Sequence, residues 1–82
     1  MKTNDIKKGI RFQLRNGWYA TMMDNLKGNT RMARVEGYET EIGSVYSHDI
    51  MLAETAPGSK DWEIVEHTPA QIKLREQVGR YF

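Results

Sequence analysis

The residues best suited to chemistry are few. His48 and His67 are the only imidazoles, and His48 is followed directly by Asp49. Structural zinc takes four Cys, His or carboxylate ligands and catalytic zinc three. The two histidines lie far apart in sequence, the chain has no cysteine, and no third ligand stands at metal-site spacing. The reading is therefore no metal and no cofactor. Ser44, Ser47, His48 and Asp49 supply the residue types of a serine nucleophile with its base and orienting acid, but their crowding in one short stretch does not define a triad. His48 is better suited to packing or capping in a tight turn, and Asp49 to accepting backbone amides there. Gly43-Ser44 is no nucleophile elbow, and Lys27-Gly28-Asn29-Thr30 lacks the Gly-x-x-x-x-Gly-Lys frame of a phosphate loop. Glu39-x-Glu41 puts two carboxylates on one side of a strand, the pattern of a solvated face. No catalytic residue is assigned, and the chain reads as a non-enzyme.

The elements that would position these groups are mainly β. Ile10 to Asp24 contains two apolar-alternating runs separated by Asn16-Gly17, and an Asn-Gly pair in that setting is the strongest short-range hairpin signal. A two-residue loop would put Tyr19, Thr21 and Met23 beside Ile10, Phe12 and Leu14. A three-residue loop with Gly17 as a left-handed bulge would instead put Trp18, Ala20 and Met22 there. The second register is preferred, because it removes more apolar area from water at about 25 cal/mol per Å². Turn formers at 24–29 lead to a third strand over 30–36, with Ala33 and Val35 inward and Arg34 outward. Tyr38, Thr40 and Ile42 begin a fourth, which Gly43-Ser44 could bulge. Ser47-His48-Asp49 suits a single helical turn before a fifth strand at 50–53.

Residues 55–60, with Pro57-Gly58, read as a linker. Residues 61–66 form an added strand with Trp62 and Ile64 on one side. Thr68-Pro69-Ala70-Gln71 is a capping-box helix start, and the helix runs to Val78 with Gly79 as its stop. Leu74 and Val78, four apart, share a face. Met1 to Asp5 is polar and expected to be poorly ordered. The whole is one domain, 1–82, with a barrel over 7–54. Its small size and lack of disulfide staples imply modest stability.

Lys8-Gly9, a strand, a hairpin with small Ala20 in its second arm, a turn, a strand, and then Gly43-x-Val45-Tyr46-x-x-Asp49-Ile50 form a pattern that resembles SH3-like small β-barrels, the superfamily holding KOW and Tudor-type domains. The resemblance covers residues 7–54 at the superfamily level. It implies a five-stranded small barrel that binds RNA, DNA, peptides or modified tails through its loops and one open face. Compact chains of this kind are also similar to accessory proteins of bacteriophages.

Net charge is only +1, but it is unevenly placed. Residues 1–34 carry eight basic against two acidic side chains, and residues 35–54 carry five acidic and no basic ones. Cross-strand pairing in a folded sheet is the simplest fate for such asymmetry. No run of about 18 apolar residues is present for a membrane span. The N-terminus has no apolar signal-peptide core, and together with the lack of cysteine this reads as a cytoplasmic protein without a membrane partner.

Two binding readings follow. The first is a protein-interaction module, self-associating or gripping another protein through Trp62, Leu74, Val78, Tyr81 and Phe82, since an open strand edge invites pairing. The alternative is nucleic-acid binding through Arg11, Gln13, Arg15, Tyr19, Lys27 and Arg34, with cations on phosphates and the ring stacked on a base. Its near-neutral total charge ranks it second, because dedicated nucleic-acid binders are strongly basic.

Overall fold

The computed structural model describes residues 1–24 and 29–79, the last two by backbone only. Six antiparallel strands form one sheet: β1 (Arg11–Leu14), β2 (Tyr19–Asp24), β3 (Thr30–Glu36), β4 (Thr40–Tyr46), β5 (Ile50–Glu54) and β6 (Trp62–Ile64). Their order across the sheet is β4-β3-β2-β1-β5-β6, followed in sequence by one helix, α1 (Pro69–Gly79). The fold is mainly β and barrel-like, with the sheet bent around a single core.

The hairpin adopts the three-residue loop. Phe12 pairs with Ala20 and Gln13 with Tyr19. Leu14 donates its amide to Trp18 O at 2.8 Å, and Gly17 N returns to Leu14 O at 2.9 Å. Gly17 sits at φ +94°, a region glycine enters without a Cβ penalty. Asn16 Oδ1 accepts the Trp18 amide at 3.0 Å and closes the turn.

This register sends Phe12, Leu14, Ala20 and Met22 inward, where they join Ile6, Ile10, Ala33, Ile50, Ala53 and Val65 in the core. Each fully buried large side chain contributes about 1.5–3 kcal/mol through apolar area removed from water. Register shifts bend the sheet between Gln13 and Leu14 and between Met22 and Asp24. The bulge expected at Gly43-Ser44 does not occur: both glycine and serine pair regularly, with Ala33 and Met32. β3 matches its expected range, and Ser47–Asp49 forms the expected single turn, of 3-10 type.

Two expectations are corrected. Met1 to Asp5 is not loose. Thr3–Asp5 is a 3-10 turn, and Thr3 and the following Ile6 are buried. The reason is Arg31, which alternation places on the inner face of β3. Its guanidinium is buried, and Asn4 Oδ1 accepts from its Nη2 at 2.7 Å. The N-terminal turn thus satisfies a buried charge that would otherwise be costly. Nor is the far edge of β6 open along its length. Lys2 bridges Glu66 in parallel, and Met1 O accepts the Glu66 amide at 2.7 Å. The edge without a strand partner among the described residues is that of β4.

Helix α1 starts as its sequence dictates. Gln71 N donates to Thr68 Oγ1 at 3.2 Å, and Thr68 N donates to Gln71 Oε1 at 2.9 Å, a reciprocal capping box. The helix packs against the 3-10 turn of its own barrel, where Gln71 Nε2 reaches Ser47 Oγ at 3.3 Å.

Candidate interaction surface

Strand pairing aligns the outward side chains in rows. One row runs Thr40, Glu36, Tyr19, Gln13, Leu52, Ile64 across all six strands. The next holds Ile42, Arg34, Thr21 and Arg11, with Trp62 opposite Glu54 beyond them. On β1, β2 and β3 the alternate residues Phe12, Leu14, Ala20, Met22 and Ala33 lie in the core, so the residues of these rows are presented on the other, convex side. Ile64 is 74% and Ile42 61% exposed there, with Tyr19 and Met32 also exposed.

The two sets of binding residues meet on this face. Tyr19, from the nucleic-acid set, packs edge-on against Trp62, from the protein-interface set, with ring centroids 5.8 Å apart. Arg11 lies 4.7 Å over the Tyr19 ring and bonds Glu36 Oε2 at 2.8 Å. Its backbone amide is held by the buried Glu54 carboxylate, also at 2.8 Å. Gln13 and Arg34 share the face.

Arg15 does not. It sits in the hairpin loop, its Nε 3.2 Å from Asp49 Oδ1 and its amide bonded to Asp49 O at 2.8 Å. It lines a cavity of about 300 Å³ with Leu14, Asn16, Ser44, Val45, Tyr46 and Asp49. Leu74 is also elsewhere, half-buried on the helix beside the 3-10 turn. Lys27, Tyr81 and Phe82 lie outside the described residues, and Val78 is placed by its backbone alone.

The sequence's chemical candidates sit away from this face. His48 is fully buried and stacked on Tyr46, centroids 4.9 Å apart. Burial pushes its pKa below the ordinary value; Asp49 opposes that shift, while Arg15, His67 and Arg75 reinforce it. A ring sealed in this way has no open face for a substrate. His67 Nε2 is 2.8 Å from Ile50 O, tying the start of the helix to β5. The Asp49 carbonyl accepts the Arg15 amide of the hairpin loop, and its carboxylate, expected to accept backbone amides of the turn, faces Arg15 Nε and His48 Nε2 instead. Among the described residues, no three His, Asp or Glu side chains group as metal ligands, and no helix is long and apolar enough to cross a membrane.

Sequence reading assigned Trp18 and Tyr38 to no site, yet they meet at 5.6 Å with their planes at 78°. Trp18 ends the hairpin loop and Tyr38 lies in the β3–β4 turn, so only the sheet register brings them together. No family model, curated protein or solved structure matches the chain.

Proposed function

We propose that this chain is a small, non-enzymatic protein-interaction module on an SH3-like barrel, and that it grips a second protein chain with the convex face of its sheet. The observation that carries this reading is the Tyr19–Trp62 pair beside Ile64, an aromatic and aliphatic surface in which Tyr19 and Ile64 are exposed and Trp62 is half-buried. Aromatic and Arg anchors dominate the energetics of protein interfaces, and contiguous exposed apolar groups mark docking surfaces. Arg11 is already held by Glu36 and Tyr19, which pre-organises it as part of such a surface. The same engagement counts against its neutralising a phosphate, so the nucleic-acid reading ranks second.

The test is a pull-down with the full chain and with Ile64→Asp, each with and without nuclease. Ile64 is mostly exposed, so the substitution spares the core. A captured protein that survives nuclease and is lost with Ile64→Asp supports the reading. Capture abolished by nuclease would transfer the face to nucleic acid. Light scattering on the same two proteins shows whether the captured chain is a second copy.

A further inference from the structure

The concave side of the sheet continues past the core at the end that carries the hairpin loop. Trp18 stands there in the row after Ala20, and its ring lies against Gly37. A Cβ on Gly37 would come within 2.5 Å of that ring, so glycine is what lets the indole lie on the strand. Tyr38 meets the indole edge-on and is 98% exposed. With Val35, Glu39 and Glu41, these residues bound a cavity of about 250 Å³.

The chemistry of this corner points to a cation. The faces of aromatic rings carry negative quadrupole charge, and a Lys or Arg head within about 6 Å of a ring centroid is attracted to it. Two carboxylates on the same walls add full charges, and among the described residues no basic side chain lines the cavity. Among the described residues, none forms an ion pair with Glu39 or Glu41. The corner also opens beside β4, which begins at Thr40 and whose outer edge has no strand partner among the described residues. A strand added to such an edge directs alternate side chains to one face of the sheet.

We propose that the corner of Trp18, Tyr38, Glu39 and Glu41 receives a Lys or Arg side chain from an extended basic segment of a partner protein, laid along the free edge of β4. The site is on the opposite face from Ile64 and goes beyond the function proposed above. Charge complementarity selects the occupant: the rim is acidic, and the ladder groups of β4 are ready to pair with an extended backbone.

The probe is a dye-labelled peptide of alternating Lys and Thr, seven residues long, titrated into the full chain by fluorescence anisotropy. Its controls are the same peptide with Gln for Lys and the same peptide with N-methylated backbone amides. Binding should weaken about tenfold with the Gln peptide, about fivefold with Tyr38→Ala, and about tenfold with Glu39→Gln/Glu41→Gln, while Ile64→Asp leaves it unchanged. Amide NMR shifts should concentrate on Thr40–Tyr46 and disappear with the N-methylated peptide. Equal affinity for the Lys and Gln peptides, binding indifferent to Tyr38→Ala in a chain with wild-type circular dichroism, or no binding up to about 1 mM overturns the proposal. Because Tyr38 is 98% exposed, its loss tests the corner and not the fold.

Discussion

Gly17 and His48 show how much of this fold hangs on single side chains, or on the lack of one. Gly17 holds φ +94° in the hairpin loop, and its amide closes the turn onto Leu14. An L-residue forced into left-handed backbone costs roughly 1–2 kcal/mol. Gly17→Ala should therefore lower the urea-derived unfolding free energy by that amount with an unchanged slope; an unmoved midpoint would mean that the loop does not require glycine. His48 acts through pH. Its pKa in the folded chain lies below the ordinary 6.5 because burial disfavours the charged ring. The unfolded chain then binds the proton more readily, so the stability His48 contributes is complete above pH 6.5 and is lost as pH falls below it. The denaturant midpoint should fall between about pH 7.5 and 5.5, and His48→Phe, which keeps the stack on Tyr46, should flatten that slope. A slope unchanged by His48→Phe would assign the pH response to other groups.

The elements divide into those set by local chemistry and those set by distant partners. Helix α1 belongs to the first kind, since its capping box is complete within Thr68–Gln71. Thr68→Ala should cost about 1 kcal/mol and reduce far-UV helical signal; retention of both would show that docking on the 3-10 turn carries the helix alone. The same locality made the Asn16-Gly17 hairpin, the turn at Ser47–Asp49 and β3 legible from residue types and alternation. The N-terminal turn was not legible, because its polar residues serve Arg31, twenty-seven positions beyond Asn4. Nor was the candidate site. Tyr19 meets Trp62, and Trp18 meets Tyr38, only through the pairing of β1 with β5, β5 with β6 and β2 with β3. Alternation identified which side of each strand faces out, and that was enough to group Arg11, Gln13, Tyr19 and Arg34. It could not show that Arg11 is neutralised by Glu36, or that Arg15 leaves the face for Asp49.

The molecule as a whole has one sheet with two ends, and it treats them differently. At β6, Met1 and Lys2 run beside the strand and occupy backbone groups of Ile64 and Glu66. At β4 the edge has no strand partner among the described residues and is fringed by acid. Unpaired edges template further pairing unless they are covered or charged, so the first end is covered by backbone, while at the second Glu39 and Glu41 disfavour an acidic strand and admit a basic one. Deleting residues 2–5 removes the cover of the first end, the Asn4 bond to Arg31 and the buried Thr3 together. A hydrogen bond to a charged group is worth about 1.5–3 kcal/mol. In a domain of this size, each kcal/mol moves the Tm by about 4–8 °C. The deletion should therefore lower Tm by on the order of 10 °C and raise the scattering mass above that of the full chain at equal concentration. A lowered Tm with unchanged mass would confine the N-terminal turn to satisfying Arg31. A raised mass would give it a second task, keeping β6 from pairing with another chain while β4 stays accessible.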